Sequence, residues 1–479
     1  MLIVSHFSRK INLQPHRKNR RSAERNQVSL PMKDLTTGSL PKNFLLFAIP
    51  LILSGLLSQA YHTIDTVIAG RFLGQTGLAA IGATSQAISL LSAFFWGFAA
   101  GFGVYVAKLF GAGEYSRIKN DVCNVFLFQI LILAALSLLC VFFKEWILSL
   151  LNVAPEIRRE AGIYFAVYIS GFGAIILNNS FTYVLNALGS SSYPFFLSLV
   201  SAFLNIGGNI LSVTVLKLGV AGIAGASVFA GLTVDLLFII KLRQCYRQLG
   251  IEKEKFFFSH EAFRHSLRYA LPPSVQQIAL YLSSFAMSPI INGIGSSASA
   301  SYTVIMRVYD LNAGIYQNSS RTLSNYVAQC IGAEKFHKIR QGLFFGLLQG
   351  ILFTLPCILL CAFWAEPINA IFFPDGYAGD ALAYAVRFSR VYLPFLLLNL
   401  INNLFHSFFR GIAAMRLLLI STVLGSAVRL GTGFLFSAHL GLDGIFIGWV
   451  ISWFAEALFM LFLYWFRFRN AELLRQNIH

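Results

Sequence analysis

Residues 106-VAKLFGAGEYSRIK-119 return 221 positions later as 327-VAQCIGAEKFHKIR-340. The echo is not isolated. The tripeptide 48-AIP-50 reappears as 270-ALP-272 at an offset of 222. Gly189, Gly219 and Gly222 reappear as Gly411, Gly441 and Gly444 at that same offset of 222. Separated anchors that agree to within one residue mark a chain built by duplication, with a charged linker between the copies.

Composition says what was duplicated. Of 479 residues, 56% are hydrophobic and 12% charged, where a soluble domain carries about 25% charge. Mean hydropathy is +0.67, so the chain reads as a polytopic membrane protein. Crossing a bilayer takes about 20 apolar residues. Twelve stretches qualify: 44–68, 83–107, 122–143, 162–187, 194–216, 220–240, 266–290, 299–328, 342–364, 386–409, 416–438 and 444–466. Continuous runs of this length are helices, because backbone in lipid must bond within itself and barrel strands would alternate over about 10 residues. The expected fold is therefore an all-α polytopic membrane protein of twelve transmembrane helices in two pseudo-symmetric six-helix lobes. Its parts are a basic tail (1–43), a first lobe (44–240), a linker (241–265), a second lobe (266–466) and a short tail (467–479). Six is an even number, so both lobes enter from one side, as a parallel repeat about an axis along the membrane normal. Such a repeat brackets a central cavity and suits alternating access.

Charge sets the orientation. Residues 1–43 hold nine Lys/Arg against Glu24 and Asp34. Basic residues also cluster after span 2 (Lys108, Arg117, Lys119), between spans 6 and 7, after span 8 (Lys335, Lys338, Arg340) and after span 12. The opposite loops, 144–160 and 365–380, are balanced or acidic. Both termini are expected in the cytoplasm, with the chain in the cell inner (plasma) membrane. The net charge of +17 lies in short segments between apolar runs, so no nucleic-acid partner is expected. The expected partners are a small-molecule substrate and the lipid bilayer, with the chain acting as a monomer. Residues 1–31 lack the apolar core and cleavage site of a signal peptide. They read as a disordered tail, or as sequence upstream of a start at Met32, which opens the compact leader 32-MKDLTTGSLPKNF-44. The six cysteines, including Cys357 and Cys361, read as small inert hydrophobes.

Polar residues inside the spans point to chemistry. In 49-IPLILSGLLSQAYHTIDTVIAGRFLG-74, Ser54, Ser58, Tyr61, His62 and Asp65 share an arc of about 100° on a helical wheel. Asp65 ends a stripe that must face protein or water. A mid-helix carboxylate costs about 2.5–3.5 kcal/mol on insertion scales, which makes it a candidate ion or proton site. The structural alternative is a hydrogen bond to His62. Span 5 adds a stripe through Ser198, Ser201, Asn205, Asn209 and Ser212, span 4 adds Asn178 and Asn179, and span 10 adds Asn399, Asn402, Asn403 and His406. Each could be an interhelical hydrogen bond; together they favour a wet lumen. Arg307 and Asp310 sit three apart and can pair. Glu456, Asp235 and Arg429 find no assignment. No HExxH, GxGxxG, P-loop or GxSxG is present, so neither enzymatic chemistry nor direct ATP drive is expected. No cofactor and no metal is expected, and the energy source is an ion gradient.

The segment 49–84, with 106-VAKLFGAGE-114, the Gly189 turn and 219-GVAGIAGAS-227, resembles the multidrug and toxic compound extrusion (MATE) family, with the DNA-damage-inducible branch nearest. The resemblance runs from about 40 to 466. It implies a twelve-helix antiporter that exports amphipathic, often cationic compounds in exchange for H+ or Na+. It places the coupling residue at Asp65, a family asparagine at Asn205, and a helix 6 hydroxyl at Ser227. Where the family has an acid four residues beyond Asn205, this chain has Asn209. Acids that bind the cation in another branch are also absent: span 7 offers Gln276 and Gln277, and span 10 offers Asn399. The ion-coupling set is thus Asp65, Asn205, Asn209 and Ser227. The substrate-cavity set is Tyr61, His62, Asn178, Asn179, Gln276, Gln277, Asn399 and Asn402. A single carboxylate favours H+, while Na+ held by Asp65, Asn205, Asn209 and carbonyls stays open. One rival is a lipid-linked-sugar flippase or polysaccharide exporter, which predicts helices beyond twelve or a strongly cationic lumen; Arg307, Arg321 and Arg429, if they line the cavity, keep it open. A second is a membrane enzyme, which would need clustered metal ligands.

Overall fold

The structure, a computed structural model, describes residues 32–373 and 379–478, apart from the side chains of His62, Ala471, Asn477 and Ile478. The expectations for residues 1–31 and the tip of the 365–380 loop fall outside these limits. Among the described residues the fold is helical, with no strand.

The longest helix, Leu40–Ala112, has 73 residues. At 1.5 Å per residue a straight rod of that length would run about 110 Å, against a hydrocarbon core of about 30 Å. It does not run straight: Gly74, with φ 68° and ψ −166°, breaks it. Only glycine adopts that backbone cheaply, and the break separates span 1 (40–73) from span 2 (75–112). Span 3 is Tyr115–Phe142. Span 4 joins Pro155–Ser170 to Phe172–Ala187 across a 47° bend. Spans 5 and 6 are Ser192–Val215 and Gly219–Gln248. Spans 7 to 12 are His260–Ile294, Ser296–Gly332, Phe336–Phe363, Asp380–Gly411, Met415–Leu440 and Leu442–Arg467. Among the described residues eight helices are long and apolar enough to cross a membrane, or nine if the bent pair is one span. The two arms of Leu40–Ala112 and the more polar spans 7 and 8 complete the twelve. Short helices at Lys144–Leu150, Ala365–Ala370 and Ala471–Ile478 were not anticipated, being too short to carry a clear period.

Each lobe has its own core. In the first, Phe181 stacks between Phe126 and Phe238, with centroids 4.5 and 5.5 Å away. In the second, Trp449 packs among Phe388, Phe446 and Trp453. Outward faces are oily, as at Phe142, Phe203 and Phe434, which are 70–80% exposed; lipid is their natural solvent.

The lobes meet along spans 1 and 2 of one copy and 7 and 8 of the other. Gly111 abuts the backbone carbonyl of Gln329, and Gly332 abuts that of Lys108. These contacts are images of each other, because Gly111 and Lys108 map onto Gly332 and Gln329 under the offset of 221. The pseudo-twofold axis therefore passes between spans 2 and 8 at this level. Gly97 and Gly101 make the same kind of approach to Pro273 and Tyr269 of span 7. A Cβ at any of these positions would overlap backbone.

The seam lies at the end of the bundle where the leader and the final helix meet: Leu35, Phe336, Phe468 and Leu474 share one buried cluster. Residues 32–43, grouped with the disordered tail on composition, belong to the fold. Leu35 N donates to Gln329 Oε1 at 3.0 Å, and Gln329 Nε2 donates to the Ala187 carbonyl at 3.0 Å. Lys335 Nζ donates to Thr36 Oγ1 at 2.6 Å and Lys338 Nζ to the Thr36 carbonyl at 2.9 Å. The Lys33 backbone lies against Gly189, whose φ is +81°. The leader thus ties one lobe to the other.

Gly111→Val should cost about 1–3 kcal/mol through overpacking, read as a lower thermal midpoint in detergent. Gly82→Ala, at a site open to solvent or lipid, should leave the midpoint level or raise it slightly. An unchanged midpoint for Gly111→Val would contradict the packing described.

Candidate functional site

Spans 1 and 5 run side by side in one register. Ser54 and Ser198 hydroxyls lie 2.7 Å apart. Eleven residues further along both helices, Asn209 Nδ2 donates to Asp65 Oδ1 at 2.6 Å. Eleven residues are three helical turns, so both contacts fall on one face. The polar stripes of the two spans zip together.

The chain of bonds continues inward. Asn209 Nδ2 also donates to Asn205 Oδ1 at 3.1 Å, and Asn205 Nδ2 donates to Ser227 Oγ at 2.9 Å. Ser227 in turn donates to the Ile223 carbonyl at 3.3 Å. Asn205 and Asn209 are buried, while Asp65 is half-buried. The structure thus brings Asp65, Asn209, Asn205 and Ser227 into a single line across spans 1, 5 and 6. The line ends on a carboxylate that reaches the accessible side. Among the described residues no Lys or Arg stands in ion-pair range of Asp65. Tyr61, Tyr164 and Tyr168 lie within electrostatic range of it. The last two are stacked at 5.8 Å on span 4. Their i, i+4 spacing was the signal in the sequence that could have added them.

The cavity set divides. Tyr61 is half-buried beside Asp65, and the side chain of His62 is outside the described residues. Asn178, Asn179 and Gln277 are half-buried and do not join the Asp65 line. Asn399 Nδ2 donates to the Tyr309 and Tyr316 hydroxyls at 3.0 and 2.9 Å. Two assignments are corrected. Gln276, 1% exposed, donates to Thr422 Oγ1 at 2.9 Å and ties span 7 to span 11. Asn402, 0% exposed, donates to the Trp453 carbonyl at 3.0 Å and to Glu456 at 3.3 Å. Both fasten helices inside the second lobe, as amides in a bundle do, and neither reaches a lumen.

Glu456 finds its partner here. His406 Nε2 and Glu456 Oε1 are 3.0 Å apart, both groups nearly sealed. Arg307 and Asp310 do not close to ion-pair distance, although each feels the other's field. Asp235 is 7% exposed and its Oδ1 has no partner among the described residues. The arginines do not converge: Arg321 lies over Tyr183 at 4.9 Å and Arg429 over Trp449 at 4.2 Å. Among the described residues no group of three or more His, Cys, Asp or Glu could hold a metal ion.

The family model MatE matches residues 50–211 and again 272–435. The chain belongs to the MatE family. Its two matched segments are the two copies found in the repeat. A probable multidrug resistance protein of Bacillus subtilis, YoeA, is 25% identical over 361 residues, 74% of this chain and 78% of that protein. The multidrug export protein MepA of Staphylococcus saprophyticus is 23% identical over 85% of this chain and 89% of its own length. An FAD transporter of Shewanella oneidensis is 22% identical over 74% and 80%. Among solved structures, MATE in the straight conformation superposes with a TM-score of 0.83 at 19% identity, covering 92% of this chain and 98% of that one. An outward-facing multidrug resistance MATE transporter gives 0.81 at 19% identity, with the same coverage. This MatE protein is a multi-pass membrane transporter with the family's twelve-helix fold.

Glu456→Ala should destabilise the protein by about 1–3 kcal/mol by leaving the buried His406 without its hydrogen-bond partner, seen as a lower thermal midpoint. Glu456→Gln, which keeps a partner for Asn402, should cost less. Equal midpoints for wild type and Glu456→Ala would contradict the packing role.

Proposed function

We propose that this protein is a secondary antiporter that exports amphipathic small molecules in exchange for protons, with Asp65 as the coupling group. The observation that carries the reading is the Asp65–Asn209 hydrogen bond at the head of the polar line. A carboxylate in a helical span is a functional site by default. Here the groups around it form a line, with an amide N–H aimed at the carboxylate. A sodium ion would need several oxygens converging on one point, and a proton needs a single acceptor. That difference favours H+.

In the proposed cycle the binding energy is differential. An ionised Asp65 attracts a cationic substrate. Protonation on the far side removes that attraction and breaks the charge-assisted bond from Asn209, so span 1 repacks against span 5 and the substrate leaves. Deprotonation inside restores the site. An ion can shift the equilibrium only by as much as it binds the two states differently, and a titrating carboxylate meets that condition. The termini are proposed to lie in the cytoplasm of a cell whose inner (plasma) membrane holds the chain, following the basic loops. In this orientation the sealed seam faces the cytoplasm. We further assign the chain to the DNA-damage-inducible branch on its span 1 motif, and propose that it works as a monomer. The lipid-linked-sugar reading is not favoured, because Arg321 and Arg429 lie over separate rings, Tyr183 and Trp449, and do not gather into one cationic cluster.

Efflux of a cationic dye from vesicles under an imposed pH gradient tests the reading. Asp65→Asn should reduce gradient-driven efflux at least about tenfold with the protein still inserted. A pulse of Na+ should not substitute for the pH gradient. Full efflux by Asp65→Asn would overturn the assignment.

A further inference from the structure

The offset that relates the lobes carries the Asp65 line onto a definite place in the second lobe. Under the offset of 222, Asp65 maps to Met287, Asn205 to Ala427, Asn209 to Gly431 and Ser227 to Trp449. The carboxylate and both amides are gone. Met287 still reaches span 11, at Gly433, much as Asp65 reaches span 5 at Asn209. Arg429 of span 11, two residues from the counterparts of both Asn205 and Asn209, lies with its guanidinium 4.2 Å above the ring of Trp449, the counterpart of Ser227.

This arginine lacks an acceptor. Among the described residues it has no carboxylate within ion-pair distance and makes no hydrogen bond, and its Nε is buried without a partner. A guanidinium offers five donors in a planar fork and accepts nothing. A cation in mid-span, half-accessible and with its donors unspent, is poised for an anion. Its surroundings are aromatic. Tyr309 and Tyr302 stand edge-on to Trp449, with centroids 5.6 and 6.1 Å away, and both lie within electrostatic range of Arg429. The Asp310 carboxylate acts on the same two tyrosines and is itself opposed by the exposed Arg307. Two guanidiniums thus stand against one carboxylate, and the local balance is cationic.

We propose that this place in the second lobe binds the carboxylate of a planar aromatic substrate. The Arg429 fork takes the carboxylate in bidentate fashion, Trp449 backs the guanidinium, and Tyr302 and Tyr309 receive the ring. The inference rests on the export reading and narrows its substrate class. Asp65 in one lobe and Arg429 in the other, although not at equivalent positions of the repeat, together suit an aromatic zwitterion, whose cationic group meets Asp65 and whose carboxylate meets Arg429.

The test is titration calorimetry of 2-naphthoate and of its neutral isostere 2-naphthamide into the full-length protein in detergent. The acid should bind wild type at least about tenfold tighter than the amide. Arg429→Gln should erase that preference, and Arg429→Lys, which keeps the charge but not the fork, should keep part of it. Equal affinity for acid and amide in wild type overturns the proposal without any variant. So does an absence of binding by the acid, or a preference that survives Arg429→Gln intact. The readout needs no gradient, so a failure of the Asp65 coupling reading and a failure of this one are distinguishable.

Discussion

Two helices can cross at backbone contact only where side chains are missing, and the crossing of spans 2 and 8 depends on this. Gly111 and Gly332 each seat the other helix's carbonyl in the space a Cβ would take. The two contacts are exchanged by the internal pseudo-twofold, so a single steric condition, met twice, joins the lobes at one end. Gly97 and Gly101 extend the condition to span 7, and Gln329 adds polar bonds to the leader and to span 4. Small residues are the usual means of close helix approach where no hydrophobic force exists between helices. Six residues of the first half of span 1 (40–56) are buried, against two, Ile68 and Ala69, among the described side chains of its second half (57–73).

That geometry decides which polar groups can act. A carboxylate in a span is tolerated only with a partner or with water. Asp65 has a neutral amide donor and a half-accessible position. Glu456 is different. It is sealed against His406 and Asn402, an arrangement that holds helices together. The two acids show how similar sequence signals divide into a mobile-ion candidate and a structural pair, according to whether the carboxylate ends on an accessible side. The second lobe keeps the duplicated frame but loses the carboxylate, with Met287 in its place, and carries Arg429 on Trp449 nearby on span 11.

Much of this was legible in the chain itself. Offset glycines and the 106–119 echo gave the duplication, and apolar length gave the spans. Helical spacing put Asp65 on one polar stripe and Asn205 and Asn209 on another, because in lipid a polar stripe has nowhere to go but inward; that the two stripes meet is seen only in the structure. The failures share a physical cause. A wheel tells which way a residue points within its helix, but not which neighbour waits there. Gln276 and Asn402 therefore looked like lumen residues, yet they bond Thr422 and Trp453. Residues 32–43 have the composition of a tail, and their place in the fold depends on long-range partners, Gln329, Lys335 and Lys338, roughly 300 residues away. The 73-residue helix was read as two spans with a loop, and a single glycine at positive φ makes the break.

The account makes one group carry both the proton and the response to substrate. Counting protons tests this most directly. A cationic substrate such as tetraphenylphosphonium is added to the protein in lightly buffered detergent, and the pH change is recorded. If Asp65 exchanges its proton for the substrate, wild type should release up to about one proton per molecule bound, and Asp65→Asn should release none. Undiminished release from Asp65→Asn, or none from wild type that demonstrably binds the cation across the titrating range, would contradict the account.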